Sequence, residues 1–310
     1  MAPDEMGKSI EKPKAPVYHR QRLLLFFLEA AKSGLSKRDL QKLLFLHGQG
    51  AEKPYYAFAP YKYGCYSFLC ADDLELLEKR GWINRDGKRL SLAVDDLNDQ
   101  PWATYNKARA AVHKWLSENN LRGDALVVET YRRYPYYALN SHIKERLLNR
   151  EEVKAVRESV ASTETDQTVV FTLGYEGVHF ETYLNKLIRN RVNVLCDVRK
   201  NPISRKFGFS GRMLARILPE LGMEYIHIPE LGIESEKRQK LNDKADYESL
   251  FAIYRKALSF RKAGLNRLRG VIQSKRRVAL TCFEANPRCC HRHCITELLE
   301  SHDGHRVVHL

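Results

Sequence analysis

The chain has 310 residues, 44% of them hydrophobic and 29% charged, with a formal net charge of +14 at neutral pH. That length accommodates two domains with separate cores, and the ordinary apolar fraction excludes wholesale disorder. The longest apolar run, Leu23–Leu28, ends at Glu29 and is far short of the roughly 18 residues a membrane span needs, so a membrane role is not expected. The polar stretch Met1–Lys14 lacks the apolar core of a signal peptide. Seven cysteines, odd in number and clustered, argue against a disulfide framework and predict a reducing, cytoplasmic setting. The charge is unevenly placed: residues 167–310 carry +10 and the rest +4. Such a basic excess attracts phosphate polymers through a sequence-independent, salt-sensitive force.

Residues 1–20 read as a flexible N-terminus. A mainly helical domain is expected over 21–150, beginning with a helix from Gln21 to Lys32 that Ser33-Gly34 breaks. Ser36 heads a second helix through Leu46, with Leu40, Leu43 and Leu44 as its apolar stripe. An aromatic, turn-rich segment (Tyr55–Gly64) follows, then a third helix from Asp72 to Arg80 stopped by Gly81. The alternating segments on either side of Asp86-Gly87 predict a hairpin whose two-residue loop is Asp86-Gly87. Helices followed by a basic-tipped hairpin give the order of a winged-helix-like module. Its candidate nucleic-acid contacts are Lys37, Arg38 and Lys42 on the second helix and Arg85, Lys88 and Arg89 on the hairpin. A scaffolding use of the same module stays open, because Asp72, Asp73 and Glu75 at the start of the third helix would repel phosphate. Further helices are expected over Trp102–Asn119 and Asp124–Tyr134. The Arg132–Ser141 corner suits either single-stranded bases or a packed core.

Residues 151–167 are polar and read as a helix running into a linker. From 168 to 310 strands and helices alternate. Strands are expected at Thr168–Leu173, Val192–Val198, Glu224–Ile228, Arg277–Phe283 and His305–His309. Helices are expected at Phe180–Asn190, Gly211–Leu221, about Tyr247–Gln273, and Arg292–His302. This spacing predicts an α/β fold: a three-layer, mostly parallel sheet with helices on both faces. In such a sheet the loops at the carboxyl ends of the strands share one edge. That edge would gather Gly174-Tyr175-Glu176-Gly177, then Asp197-Val198-Arg199 with Asn201-Pro202 and Ser204-Arg205-Lys206. It would also gather Glu230-Leu231-Gly232, and Cys282-Phe283-Glu284 running on to Cys290-His291-Arg292.

The order of these motifs resembles the domain-of-unknown-function 488 family over about Val169–Leu310. The resemblance implies an α/β fold and a pocket using the Asp-Val-Arg and Cys-His-Arg residues, but no settled reaction. The N-terminal half lies outside it, and Cys289 and Cys294 depart from its pattern.

Read from their chemistry, Arg199, Arg205, Lys206 and Arg292 are candidate phosphate ligands, with Ser204, His291 and the backbone donors of the Cys290–Arg292 helix start beside them. A salt bridge between Asp197 and Arg199 is the alternative use of that pair. Asp197 and Glu284 are candidate acid and base groups, since two carboxylates in one pocket can divide the work of cleaving a glycosidic bond. Tyr175 would stack on the base. Cys290 beside His291 at a helix start would have a lowered thiol pKa and act as a nucleophile. Cys282, Cys289, Cys290, His291, His293 and Cys294 could instead hold zinc, although the spacing lacks a Cys-x-x-Cys pair. No other cofactor is expected.

The sequence therefore points to a nucleic-acid- or nucleotide-directed enzyme, a glycosylase-like hydrolase, with DNA favoured over RNA as the polymer. The alternatives are a non-enzymatic DNA-binding regulator whose α/β domain senses an anionic ligand, and a thiol-based transferase using Cys290.

Overall fold

A computed structural model describes residues 13–52, 54–104, 106–160, 167–234 and 244–310. In chain order the elements begin with α1 (His19–Ala31), β1 (Leu35–Ser36), α2 (Lys37–Gly48), β2 (Ala59–Tyr61), β3 (Gly64–Tyr66) and α3 (Phe68–Lys79). They continue with β4 (Ile83–Asp86), β5 (Arg89–Leu92), α4 (Lys107–Glu118), α5 (Gly123–Arg133), α6 (Lys144–Leu147) and α7 (Arg150–Glu158). Then come β6 (Val169–Gly174), α8 (Phe180–Arg189), β7 (Val194–Asp197), α9 (Gly211–Ile217) and β8 (Glu224–His227). The last are α10 (Lys244–Leu258), α11 (Lys262–Lys275), β9 (Arg277–Cys282), α12 (Arg292–Ser301) and β10 (Arg306–His309).

Backbone contacts divide the chain into two compact units with other boundaries than 150 and 168. The first holds residues up to Tyr56 together with Leu69–Thr130, and the second holds Ala57–Phe68 together with Tyr131–Leu310. Of the expected linker, 161–166 lie outside the described residues, and the part before them is helix α7 and its end. Of the expected flexible N-terminus, 1–12 also lie outside. Residues beyond them are anchored: the Lys14 carbonyl accepts the Trp82 indole N–H at 2.9 Å, and the Pro16 carbonyl accepts from Arg22 Nε at 3.1 Å.

In the first unit the order is helix, strand, helix, helix, strand, strand, with β1, β5 and β4 in one antiparallel sheet. Ser36 caps α2 as its sequence predicts, its Oγ accepting the Asp39 N–H at 3.0 Å. The β4–β5 loop is Gly87-Lys88, one residue later than the expected Asp86-Gly87, because Asp86 pairs with Arg89 and Gly87 takes the positive φ of 56°. Helix α3 starts at Phe68, one turn earlier than expected, since Leu69, Cys70 and Ala71 extend its apolar face. Asp73 is consequently an internal anchor, buried and bonded to Arg20 Nε at 2.6 Å, Gln21 Nε2 at 2.6 Å and Tyr56 OH at 3.0 Å.

The second unit holds five strands in the order β10-β6-β9-β7-β8, each neighbouring pair parallel. Both faces of the inner strands β6, β7 and β9 are covered, which is why these three are buried throughout and read as largely apolar runs. Phe171, Leu173, Leu195 and Ala279 face α8 and α9. Val170, Val194, Cys196, Val278 and Leu280 face α10, α11 and α12. The alternation along β6, β7 and β9 is the two-residue period of a pleated strand. One expected element divides: the helix Tyr247–Gln273 is two helices, with turns at Phe260 and Arg261 between them. There Arg261 Nη1 donates to the carbonyls of Glu230 (2.6 Å) and Gly232 (2.8 Å), a tertiary contact that no local signal at Ser259–Arg261 announces. The Arg132–Ser141 corner is core: Tyr136 is buried, its hydroxyl donates to Asn185 Oδ1 at 2.8 Å, and Arg189 lies over its ring. No helix among the described residues is long and apolar enough to cross a membrane.

Candidate functional site

The strand order creates the site. Connections from β6 and β7 run over the face covered by α8 and α9, whereas the connection from β9 runs to α12 on the other face. Since β9 lies between β6 and β7, the loops diverge there and leave a crevice beyond the strand ends. A cleft of about 510 Å³ occupies this place. The loop after β6 contributes Tyr175, and the loop after β7 contributes Arg199, Lys200, Asn201, Ile203, Ser204 and Arg205. Ile233 follows β8, and Phe283 and Glu284 follow β9.

The close approach of β6 and the β9 loop depends on Gly174. A Cβ there would sit 1.8 Å from the Glu284 carbonyl oxygen, a backbone atom with nowhere to retreat. That same carbonyl accepts from Arg292 Nη1 at 2.5 Å, and the next one, Ala285, accepts from Nη2 at 2.9 Å. Gly174→Ala is therefore expected to lower stability by about 1–3 kcal/mol through overpacking and to displace Glu284. Denaturant titration compared with Gly270→Ala, an exposed position of α11 where the backbone has no positive φ and a Cβ meets nothing within 4 Å, checks the first part. Equal losses in the two variants would contradict the close-approach argument.

Asp197 does not face the cleft. It is wholly buried and forms a two-point ion pair with Arg199, Nε to Oδ1 at 2.8 Å and Nη2 to Oδ2 at 2.5 Å. The Arg199 backbone N–H (3.1 Å) and the Tyr225 hydroxyl (2.8 Å) complete its shell. The expected acid–base pair is thus reduced to Glu284. The alternative reading of the Asp197–Arg199 pair, an internal salt bridge, is the one the geometry realises. Burial alone would lower the Arg199 guanidinium, but the hydrogen bonds and charge of Asp197 raise it above its ordinary value. Its Nη1 donates to the Tyr175 hydroxyl at 2.8 Å and the Phe209 carbonyl at 2.9 Å, so most of its donors are already engaged.

The other candidates separate in the same way. Tyr175 is buried with its ring stacked on Phe209 at 4.4 Å, which leaves it unavailable for a base. Phe283, which packs edge-on to Tyr175, is the exposed ring at the cleft. Lys206 turns inward and donates to the Tyr175 carbonyl at 2.6 Å, and burial lowers its pKa. Arg292 is buried on the loop carbonyls and lies outside the cleft lining, and its Nε has no hydrogen-bond partner among the described residues. Ser204 lines the cleft while its Oγ accepts the Lys206 N–H at 3.1 Å. Of the expected phosphate ligands, Arg205 is exposed at the cleft and Arg199 shows only an edge. Lys200 and Phe283 were not singled out by their residue types. Their place directly after Arg199 and Cys282, at strand ends, is the signal that could have found them.

The helix α12 starts at Arg292, so Cys290 and His291 precede it in a tight buried turn. Burial, reinforced by Cys282, pushes the Cys290 thiol well above its usual pKa. This corrects the expectation of a lowered pKa, because the apolar surroundings outweigh the helix start. Cys282, Cys290 and His291 have their donor atoms within 4.8 Å of one another. His293 and Cys294 gather instead with Glu297, and Cys289 is exposed outside both groups. His291 does not reach a phosphate position, since its Nε2 bonds the Val198 carbonyl at 3.0 Å.

In the first unit, Lys42 is buried at 1% exposure, which removes it as a nucleic-acid contact because its side chain runs inside the helical core. Arg38 pairs with Asp124 at 3.2 Å, and Lys37 lies 3.8 Å from Glu75. Arg85 is held by Glu78 at 2.8 Å, and Arg89 Nη1 donates to the Ser33 carbonyl at 2.8 Å. Lys88 stands exposed in the hairpin loop.

A parallel α/β sheet with a cationic cleft at its carboxyl edge defines the class of domain. Residues 179–299 match the family model described as Domain of unknown function DUF488. The match includes Asp197, Arg199, Glu284 and Cys290–Arg292; it leaves out Gly174–Gly177 and β10. No curated protein and no solved structure matches the chain.

Proposed function

We propose that the chain is a nucleic-acid- or nucleotide-directed enzyme that cleaves a glycosidic linkage in the cleft of its α/β unit, with Glu284 as the acid–base group. The observation that supports this reading most is the composition of the cleft lining. Lys200, Arg205 and the edge of Arg199 supply positive charge, Phe283 supplies an exposed ring, and Glu284 is the carboxylate among the lining residues. Cations beside a flat apolar surface suit a phosphate joined to a base. The volume lies within the range that holds a small ligand. A carboxylate facing a ribose can stabilise oxocarbenium-like charge and activate water. We read the helix–strand–helix–helix–hairpin order of the first unit as winged-helix-like, and the exposed Lys88 loop as a phosphate contact favouring DNA.

The second reading is a non-enzymatic regulator that binds an anionic ligand in the same cleft. The withdrawal of Asp197 into an ion pair favours it, because half of the expected acid–base machinery is then occupied. Incubation of the full chain with single- and double-stranded DNA, RNA and free nucleotides, with released bases read by mass spectrometry, separates the two. The enzyme reading expects a released base from one substrate class. It also expects the Lys200→Ala, Arg205→Ala double variant to flatten the salt dependence of binding by about two units of slope. Saturable binding without product from any substrate, modified bases included, overturns the enzyme reading in favour of the regulator. Absence of both overturns both.

A further inference from the structure

We propose that Cys282, Cys290 and His291 form a binding site for a zinc-class ion, with its fourth position open toward Glu284 and the cleft. Three observations converge on it. The first is spacing. Cys282 Sγ lies 3.7 Å and Cys290 Sγ 3.9 Å from His291 Nδ1. Around tetrahedral zinc, with bonds of ordinary length to sulfur and nitrogen, the same edges measure about 3.6 Å. The two sulfur–nitrogen edges need close by only a few tenths of an ångström, and the sulfur–sulfur edge lies within 4.8 Å.

The second is the state of the imidazole. Val198 O can only accept, so the proton of a neutral His291 sits on Nε2 at 3.0 Å from it. Nδ1 therefore presents a lone pair toward both sulfurs. A ligating histidine tied through its other nitrogen to a backbone carbonyl is the usual arrangement at protein metal sites. The Tyr254 ring, edge-on at 5.5 Å, further fixes the plane.

The third is charge. Arg292 is buried beside this cluster and, among the described residues, its side chain bonds the carbonyl oxygens of Glu284 and Ala285 and no carboxylate, with Glu284 as the nearby carboxylate. Binding a divalent ion to two thiols expels two protons, so the net charge of the buried site is unchanged. No uncompensated charge is added to a low-dielectric region. The neighbouring group His293, Cys294 and Glu297 fails this test. Arg255 already donates there, to Glu297 Oε2 at 2.9 Å and toward His293 Nε2 at 3.1 Å, and its cation occupies the place of an ion.

Three protein ligands and one open position is the pattern of a catalytic rather than a structural zinc. The three ligand residues are buried and do not themselves line the cleft, but Glu284 Oε2 lies 3.3 Å from Cys282 Sγ and Glu284 does line it, which places the proposed open position on that side. An ion here would lower the pKa of a water that Glu284 can deprotonate. This role in hydrolysis rests on the enzyme reading above; the ion site itself does not.

The test is titration of the full chain, reduced with a phosphine and stripped with a chelator, with cobalt(II). About one equivalent is expected to bind, giving a thiolate-to-cobalt charge-transfer band in the near ultraviolet and the strong visible bands of a four-coordinate ion. Zinc should displace it, and an indicator should record about two protons released per ion. Cys282→Ser, Cys290→Ser and His291→Ala should each lose the band, whereas Cys289→Ser, at the exposed neighbour, should keep it. A wild-type titration without a thiolate band overturns the site, as does a band that survives both Cys282→Ser and Cys290→Ser. If a variant fails to fold, the wild-type spectrum and proton count decide alone. A cobalt band in a protein that releases no base from any substrate counts against the hydrolytic role and leaves the site standing.

Discussion

Asp197→Ala should destabilise the α/β unit by about 3–5 kcal/mol, because it strands a buried cation. Arg199 is only 6% exposed, and its counter-charge is the wholly buried Asp197 carboxylate. Removing Asp197 also takes the acceptor from the Arg199 backbone N–H and the Tyr225 hydroxyl. Each such loss adds the penalty of an unsatisfied buried group. The measurement is the denaturant midpoint of the full chain. The paired replacement Asp197→Leu with Arg199→Met should recover much of the loss, since replacing both partners with apolar groups leaves no buried charge. A near-neutral Asp197→Ala would show that the pair is not what holds the β7 loop. Full stability with abolished turnover would return Asp197 to the catalytic role that its sequence position suggested.

Glu284→Gln carries the second large effect. If Glu284 moves the proton in glycosidic cleavage, the amide should lower turnover by about 10²- to 10⁴-fold. The dissociation constant for nucleotide or oligonucleotide should change little, because Gln keeps the volume and, on this reading, the cleft-lining Lys200, Arg205 and Phe283 would make the binding contacts. The Lys200→Ala, Arg205→Ala double variant should show the reverse pattern, with weakened binding and a smaller loss of turnover at saturation. Single-turnover release of base, measured beside equilibrium binding, separates them. Unimpaired turnover in Glu284→Gln would end its assignment as the acid–base group. A loss confined to binding would recast it as a ligand-positioning residue.

Much of this site is visible in the chain before folding. The apolar runs Val169–Leu173, Val194–Cys196 and Val278–Leu280, spaced by helical patterns, are enough to predict a parallel sheet. From that sheet alone Arg199, Arg205, Glu284 and Cys290 are drawn to one edge. Gly174 belongs to the same set, and its reason is a contact: the backbone of the β9 loop occupies the space of a side chain. The misplacements share a cause. Asp197, Arg199 and Arg292 look alike in a sequence whether they point into solvent or into the interior. The same ambiguity hid the burial of Lys42 and the use of Tyr175 as a packing ring.

The sequence by itself determined the period of each strand, the alternation of strands with helices, and the edge on which reactive residues collect. These follow from local hydrophobic pattern and the handedness of the crossover. Tertiary structure alone decided which of those residues face the cleft, where Tyr247–Gln273 breaks, and that Cys282 meets Cys290 and His291. Those outcomes depend on which neighbours remove each polar group from water and which partners repay its desolvation, and the partners come from distant parts of the chain.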